Sequence, residues 1–227
     1  MRDTYTIDTG TSPAGRKKPD QHAPLPETRS NWSERVHFLR AFIRKPCSVG
    51  AVSPSSPALA RAMVTGLGLH RAETVVELGP GTGAITAPIL NRIGPKTTFF
   101  ALEVDASYTQ RLQLRFPKLS VYNDSAERVK KYLEVHNKQK ACCIISGLPW
   151  ASLDSGIQSR IMSSVIATLG TDGVFTTFAY LHARWLPQAR RYRKNLESLF
   201  KRVEISPVVW GNLPPAFIYR CTSPRTT

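Results

Sequence analysis

Val75-Val-Glu-Leu-Gly-Pro-Gly-Thr-Gly-Ala84 decides the fold. An apolar run enters a glycine-rich turn, and the residues from Ala84 to Arg92 continue from it at helical spacing. Strand, tight turn and helix therefore follow one another without a linker. Gly79, Gly81 and Gly83 let the backbone turn sharply and bring its N–H groups close to a ligand. The spacing is GxGxG. The dinucleotide fingerprint GxGxxG, which seats a pyrophosphate on the helix N-terminus, is absent.

Outward from this turn the chain alternates in the βα manner. Strands are expected at Thr74–Leu78, Thr98–Glu103, Ser120–Asn123, Ala141–Ser146 and Gly173–Tyr180. Helices are expected at Pro57–Gly66, Ala84–Arg92, Ser107–Phe116, Ala126–His136 and Ser155–Leu169. Short apolar runs between helical patterns read as a parallel sheet covered on both faces. A basic helix over Leu186–Phe200 and strands over Val203–Trp210 and Ala216–Cys221 close the pattern, with Gly211-Asn-Leu-Pro-Pro215 as the turn of an antiparallel pair.

Charge placement in the loops points to one class of cofactor. Glu77, just before the glycines, would repel a pyrophosphate but suits the positively charged sulfonium and amino-acid end of S-adenosylmethionine. Glu103 ends the second strand 20 residues past Gly83, where a carboxylate accepts from both ribose hydroxyls. Val104 follows it, and Asp105 reads as a cap for the next helix. Asn123 ends the third strand and Asp124 and Ser125 follow it, with Asp124 placed to accept from an adenine amino group while the neighbouring backbone holds the ring edge. Any one of these acids could be a solvated loop carboxylate; three in register with three strand ends make a set. The fold expected is α/β, a Rossmann-like class I S-adenosylmethionine-dependent methyltransferase, with a mostly parallel seven-stranded sheet whose last strand is antiparallel.

The 227 residues suffice for one sizeable core. Lys and Arg number 31 against 16 Asp and Glu, a net charge of +15. Residues 1–30 hold five basic and four acidic side chains, so subtracting their +1 leaves +14 on the remainder. That field favours polyanions, either nucleic acid or an anionic membrane face. Four prolines and few bulky apolar residues make 1–30 a disordered tail. No apolar run approaches the ~20 residues of a membrane span, and nothing resembles a signal peptide. Cys47, Cys142, Cys143 and Cys221 lack zinc spacing and read as reduced thiols; no metal is expected.

From 31 to 46 an amphipathic helix is expected, ended by Pro46, ahead of a methyltransferase domain over 47–227. Trp32, Val36, Leu39 and Ile43 share a face, with Phe38 and Phe42 beside them, and Arg35, Arg40, Arg44 and Lys45 bring the stretch from Trp32 to Lys45 to a net +3. At 1.5 Å per residue its reach is roughly 21 Å, too short to span a bilayer. Two readings stand, an interfacial membrane helix or a helix packed on the domain; the aromatics and the charge favour the first.

After the fourth strand, Ile145-Ser-Gly-Leu-Pro-Trp150 lies at the sheet edge where open α/β folds bind ligands. Ser146, Gly147, Leu148 and Pro149 are the candidate acceptor motif, orienting a nitrogen lone pair toward the methyl. Ser146 also adjoins the cofactor. Tyr180 and His182, past the fifth strand, are candidates to take the amine's proton. Residues 184–202 carry seven basic side chains against Glu197, a net +6, and Arg184, Arg190 and Arg193 are candidates to hold a headgroup phosphate.

The chain resembles the bacterial phospholipid N-methyltransferases over about residues 34–222. The likeness rests on Phe38-Leu-Arg-Ala-Phe-Ile-Arg-Lys-Pro46, Gly50-Ala-Val-Ser-Pro54, the glycine loop, Ser146-Gly-Leu-Pro149 and Trp210-Gly-Asn-Leu-Pro-Pro-Ala-Phe-Ile-Tyr-Arg220. It implies methylation of phosphatidylethanolamine toward phosphatidylcholine, with S-adenosylhomocysteine as by-product. It also implies that 31–46 binds membrane phospholipids, that Val49, Gly50 and Ser53 lie over the cofactor, and that the protein sits on the inner, cytoplasmic face of the membrane. Ornithine lipid is the alternative acceptor. The ribosomal RNA adenine dimethyltransferases share the glycine loop but carry Asn-Leu-Pro-Tyr where this chain has Ser-Gly-Leu-Pro-Trp. With only 77 residues after Trp150, their separate RNA-binding domain finds no room, and nucleic acid is not expected as a partner.

Overall fold

A computed structural model of the chain describes residues 55–225. The expected tail over 1–30 and amphipathic helix over 31–46 lie outside the described residues, with Trp32, Phe38, Phe42 and the other membrane candidates. So do Cys47, Val49, Gly50 and Ser53.

Seven strands form one sheet: β1 (Thr74–Leu78), β2 (Thr98–Leu102), β3 (Ser120–Tyr122), β4 (Ala141–Ser146), β5 (Leu169–Tyr180), β6 (Phe200–Ile205) and β7 (Ala216–Pro224), in the order β3-β2-β1-β4-β5-β7-β6. β7 runs antiparallel to both neighbours and the other six strands share one direction, as a class I methyltransferase sheet requires. The helices are α1 (Pro57–Val64), α2 (Thr86–Leu90), α3 (Ala106–Arg115), α4 (Val129–Val135), α5 (Ser155–Thr168) and α6 (Pro187–Leu199). Every residue of β1 is buried, the signature of a strand covered on both faces.

Each face has its own core. Val75, Ala101, Cys143, Ile145 and Ile218 pack under α1, α2 and α3. Val76, Leu78, Phe100, Ile144, Phe175 and Tyr219 pack under α4, α5 and α6. Odd and even strand residues go to opposite faces, as the pleat demands.

The largest departures from the expected boundaries are in β6 and β5. β6 occupies 200–205 rather than 203–210, because Lys201, Arg202 and Glu204 sit on an exposed edge where a strand needs only one covered face. The apolar run Val208-Val209-Trp210 belongs to the connection instead, held by a bridge between Val209 and Ala216. β5 begins at Leu169 rather than at 173, with a register shift opposite Ala141 to Cys143. Among the described residues no helix is long and apolar enough to cross a membrane, and no group of side chains could hold a metal ion.

Candidate active site

The parallel strands present the loops after β1, β2, β3 and β4 at one edge. Glu77, one residue before the end of β1, is fully buried. Its Oε2 accepts from the Thr86 hydroxyl at 2.7 Å. Its Oε1 has no hydrogen-bond partner. Burial pushes the carboxyl up to about 8, against the pull of Thr86 and with the push of Glu103.

Beyond it the glycine loop is clamped to its neighbours. Gly79 donates to Leu102 O at 2.9 Å and holds φ at +68°. A Cβ there would stand 2.6 Å from Leu148. Glu103, 2% exposed, spends one oxygen on each side: Oε2 accepts from Gly81 N at 3.0 Å and Oε1 from Asp105 N at 2.9 Å. Burial raises its pKa as well. Each oxygen keeps a lone pair for a further donor. Asp105 caps α3 as expected, accepting from Ser107 N at 2.8 Å.

The loop after β3 is tied to the loop after β2. Asn123 Nδ2 donates to the carbonyls of Glu103 and Val104, both at 2.9 Å. Asp124 Oδ1 accepts from Ser125 N and Oδ2 from the Tyr132 hydroxyl, both at 2.8 Å. Arg128 and Lys131 stand 3.6 and 3.7 Å from that carboxylate. Burial and Asp124 together push the Tyr132 phenol up to about 12, so it stays a donor. Ser125 caps the turn that follows, accepting from Glu127 N. Tyr132 is a contact that the sequence does not advertise: it is one more aromatic on an amphipathic helix until the fold carries it to Asp124.

The acceptor motif is strapped onto the cofactor loop. Gly147 N donates to Leu78 O at 2.8 Å, and a Cβ on Gly147 would meet Gly79 O at 2.6 Å. Only glycine allows so close a backbone approach. The Ser146 hydroxyl is fully buried and turned inward, accepting from Trp150 Nε1 at 2.9 Å and Leu148 N at 3.3 Å. Trp150 is a core residue, stacked on Tyr192 at 5.1 Å and edge-on to Phe175. Ser146 thus shapes the turn, and what the turn offers an acceptor is the backbone of 146–149.

Farther along the same edge, Tyr180 ends β5 and stacks on His182 at 5.8 Å. Burial raises the Tyr180 pKa. Arg184 and Arg193 share a cavity of about 110 Å³ with Leu181, Ile205, Phe217 and Tyr219. Burial pushes the Tyr219 phenol up, while both guanidiniums pull it down. Arg193 also pairs with Glu197 at 2.8 Å. Arg190 is not among the residues that line this cavity; its guanidinium stands 5.8 Å from the Trp185 ring.

Two buried acids at the head of a glycine turn, one with an unsatisfied acceptor and one with spare lone pairs, fit a ligand that brings both positive charge and hydroxyl donors. The chain's own residues therefore suit S-adenosylmethionine.

Comparison with known proteins agrees. The chain is 30% identical over 190 residues to the ornithine lipid N-methyltransferase of Singulisphaera acidiphila, covering 81% of this chain and 93% of that one. It is 41% identical over 110 residues to ribosomal RNA small subunit methyltransferase A of Burkholderia ambifaria, but spans only 40% of that protein. Among solved structures, an O-methyltransferase from Streptomyces achromogenes in complex with SAM superposes with a TM-score of 0.59 at 11% identity, covering 83% of this chain and 90% of that one. One from Bacillus cereus in complex with SAH superposes equally well, at 10% identity and with the same coverage. No protein-family model matches. The chain is an S-adenosylmethionine-dependent methyltransferase, and it belongs to the family of the Singulisphaera ornithine lipid N-methyltransferase.

Proposed function

We propose that the protein N-methylates a membrane lipid amine, with the amine of an ornithine lipid as the leading acceptor. The observation that carries this reading is the relative matched across nearly its whole length, whose name states that activity. Phosphatidylethanolamine, suggested by the motif resemblance, is the second acceptor. Both lipids pair an amine with an anion, a carboxylate in one and a phosphate in the other. Arg184 and Arg193, converging on one cavity with the Tyr219 hydroxyl, suit either oxyanion.

The cofactor supplies an electrophilic methyl on a sulfonium. Glu103 would hold it by accepting from the ribose hydroxyls, Glu77 would stand toward its cationic end, and Asp124 would accept from the adenine amino group. Asn123 holds the carbonyls of Glu103 and Val104, which keeps those two loops in register. The acceptor nitrogen forms its bond to the methyl carbon as the sulfur–carbon bond breaks, and S-adenosylhomocysteine leaves. The backbone carbonyls of 146–149 orient the nitrogen, so the protein acts by proximity and exclusion of water. Each methylation of a primary or secondary amine releases one proton. Tyr180, and His182 whose ring stacks on it, are the candidate groups to take that proton.

The test is transfer of labelled methyl from S-adenosylmethionine to a total bacterial lipid extract, resolved by headgroup, with bulk RNA in parallel. Label in ornithine lipid is expected. Label in methylated phosphatidylethanolamine would move the acceptor to the second reading, and label in RNA with silent lipids would overturn both.

A further inference from the structure

We infer that the chain docks on anionic lipid bilayers through a rim formed by Trp185, Leu186, Trp210 and Leu213. The rim lies at the sheet edge that carries the candidate active site. This inference rests on the lipid-acceptor reading and adds to it a surface separate from residues 31–46. The four side chains are among the most exposed large apolar groups of the described residues, with Trp185 at 68%, Trp210 at 72% and Leu213 at 79%. Two of them follow β5 and two lie between β6 and β7. Since Tyr180 pairs with Ala216 across β5 and β7, both connections emerge from the same edge, and Leu181 N donates to Pro215 O at 2.8 Å between them.

The turn that presents Trp210 and Leu213 is well anchored. Asn212, 4% exposed, accepts from Ser56 N at 2.9 Å and donates to Pro214 O at 2.7 Å, while Val209 and Ala216 bridge beside it. A turn held this firmly could carry polar side chains in the same places. Instead it keeps an indole and a leucine in water, the pattern of a surface that meets an apolar phase.

The partner follows from what surrounds the rim. Residues 181–194 carry five basic and no acidic side chains. Arg184 and Arg190 stand 5.3 and 5.8 Å from the Trp185 ring centroid. Indole flanked by guanidinium matches the headgroup layer of a bilayer, where the ring lies among acyl ends and the cation reaches phosphate. Nucleic acid would satisfy the charge, but it offers Leu186 and Leu213 nothing to bury against.

The experiment uses the full chain and vesicles of phosphatidylglycerol with phosphatidylcholine, which contain no methylatable amine, and no S-adenosylmethionine. In a Trp32→Phe background and with brominated acyl chains, Trp185 and Trp210 fluorescence is expected to be quenched, as resolved by the further variants Trp185→Phe and Trp210→Phe, while buried Trp150 is spared. A fourfold variant, Trp185→Ser, Leu186→Ser, Trp210→Ser and Leu213→Ser, is expected to bind these vesicles at least tenfold more weakly with unchanged affinity for S-adenosylmethionine. Unquenched tryptophans, or full vesicle affinity in the variant, would overturn the inference. So would a wild-type dimer that the variant turns into a monomer, since the rim would then face a second copy of the chain. Because no acceptor is present, a negative methyl-transfer assay and a negative vesicle assay are separate results.

Discussion

Glu77 and Glu103 are both buried acids at the cofactor loop, yet they do different work. Glu103 is a clamp, each oxygen holding a backbone N–H. Glu103→Ala is expected to weaken S-adenosylmethionine binding on the order of 10- to 100-fold, the loss of one or two hydrogen bonds to a charged group. Calorimetric titration checks it, and vesicle binding should not change. Glu77 keeps one oxygen unsatisfied and sits at a pKa of about 8, above its ordinary 4.5. The folded protein therefore binds this proton more tightly than the unfolded chain does. The group's contribution to stability is complete below pH 4.5 and is lost as pH rises through about 8, at a rate of at most about 1.4 kcal/mol per pH unit. Burial of Glu103 acts in the same direction. Without cofactor, the melting temperature of the wild type should fall between pH 5 and pH 8 more steeply than that of Glu77→Gln. Parallel curves would mean that Glu77 is ionised in the fold.

At the scale of elements, the strap between Gly147 and Gly79 joins the two functional loops. Gly147→Ala would place a methyl 2.6 Å from Gly79 O, a backbone atom that cannot swing aside. The expected cost is on the order of 2–3 kcal/mol, a fall of about 5–10 °C in melting temperature. Methyl transfer should be lost even in the molecules that remain folded. The sequence reveals the strands and helices here because apolar runs and helical periods alternate cleanly, and it reveals the acids because strand ends are recognisable. The edge strand escapes it: Lys201, Arg202 and Glu204 look like a helix tail, and the apolar Val208-Val209-Trp210 looks like the strand. Ser146 is misleading in another way. Its hydroxyl sits in a functional motif, but only the packed structure reveals that Trp150 occupies it. Tyr132 against Asp124 and Asn212 against Ser56 are likewise invisible, because each pair is made by the fold and not by spacing.

For the whole molecule, the prediction concerns attachment. Replacing Phe38 and Phe42 with Ala should reduce vesicle binding far more than S-adenosylmethionine binding, as measured by co-sedimentation and by calorimetry on the same preparation. Equal losses would make residues 31–46 a packing element of the domain. The sheet order carries a different consequence, about how the chain is made. β6 precedes β7 in sequence, yet among the described residues it pairs only with β7, and β7 alone connects it to β5. Tyr192 and Leu196 of α6 share their core with Phe217 and Tyr219 of β7. During translation, β6 must therefore wait without a neighbouring strand until residues 216–224 have left the ribosome, although Tyr192 and Phe200 already have Trp150 and Phe175 to pack on. A nascent chain arrested before Ala216 should be cut by protease between 200 and 205 while the β1–β5 region resists. In the cell that interval is when a trigger-type chaperone has most reason to hold this protein.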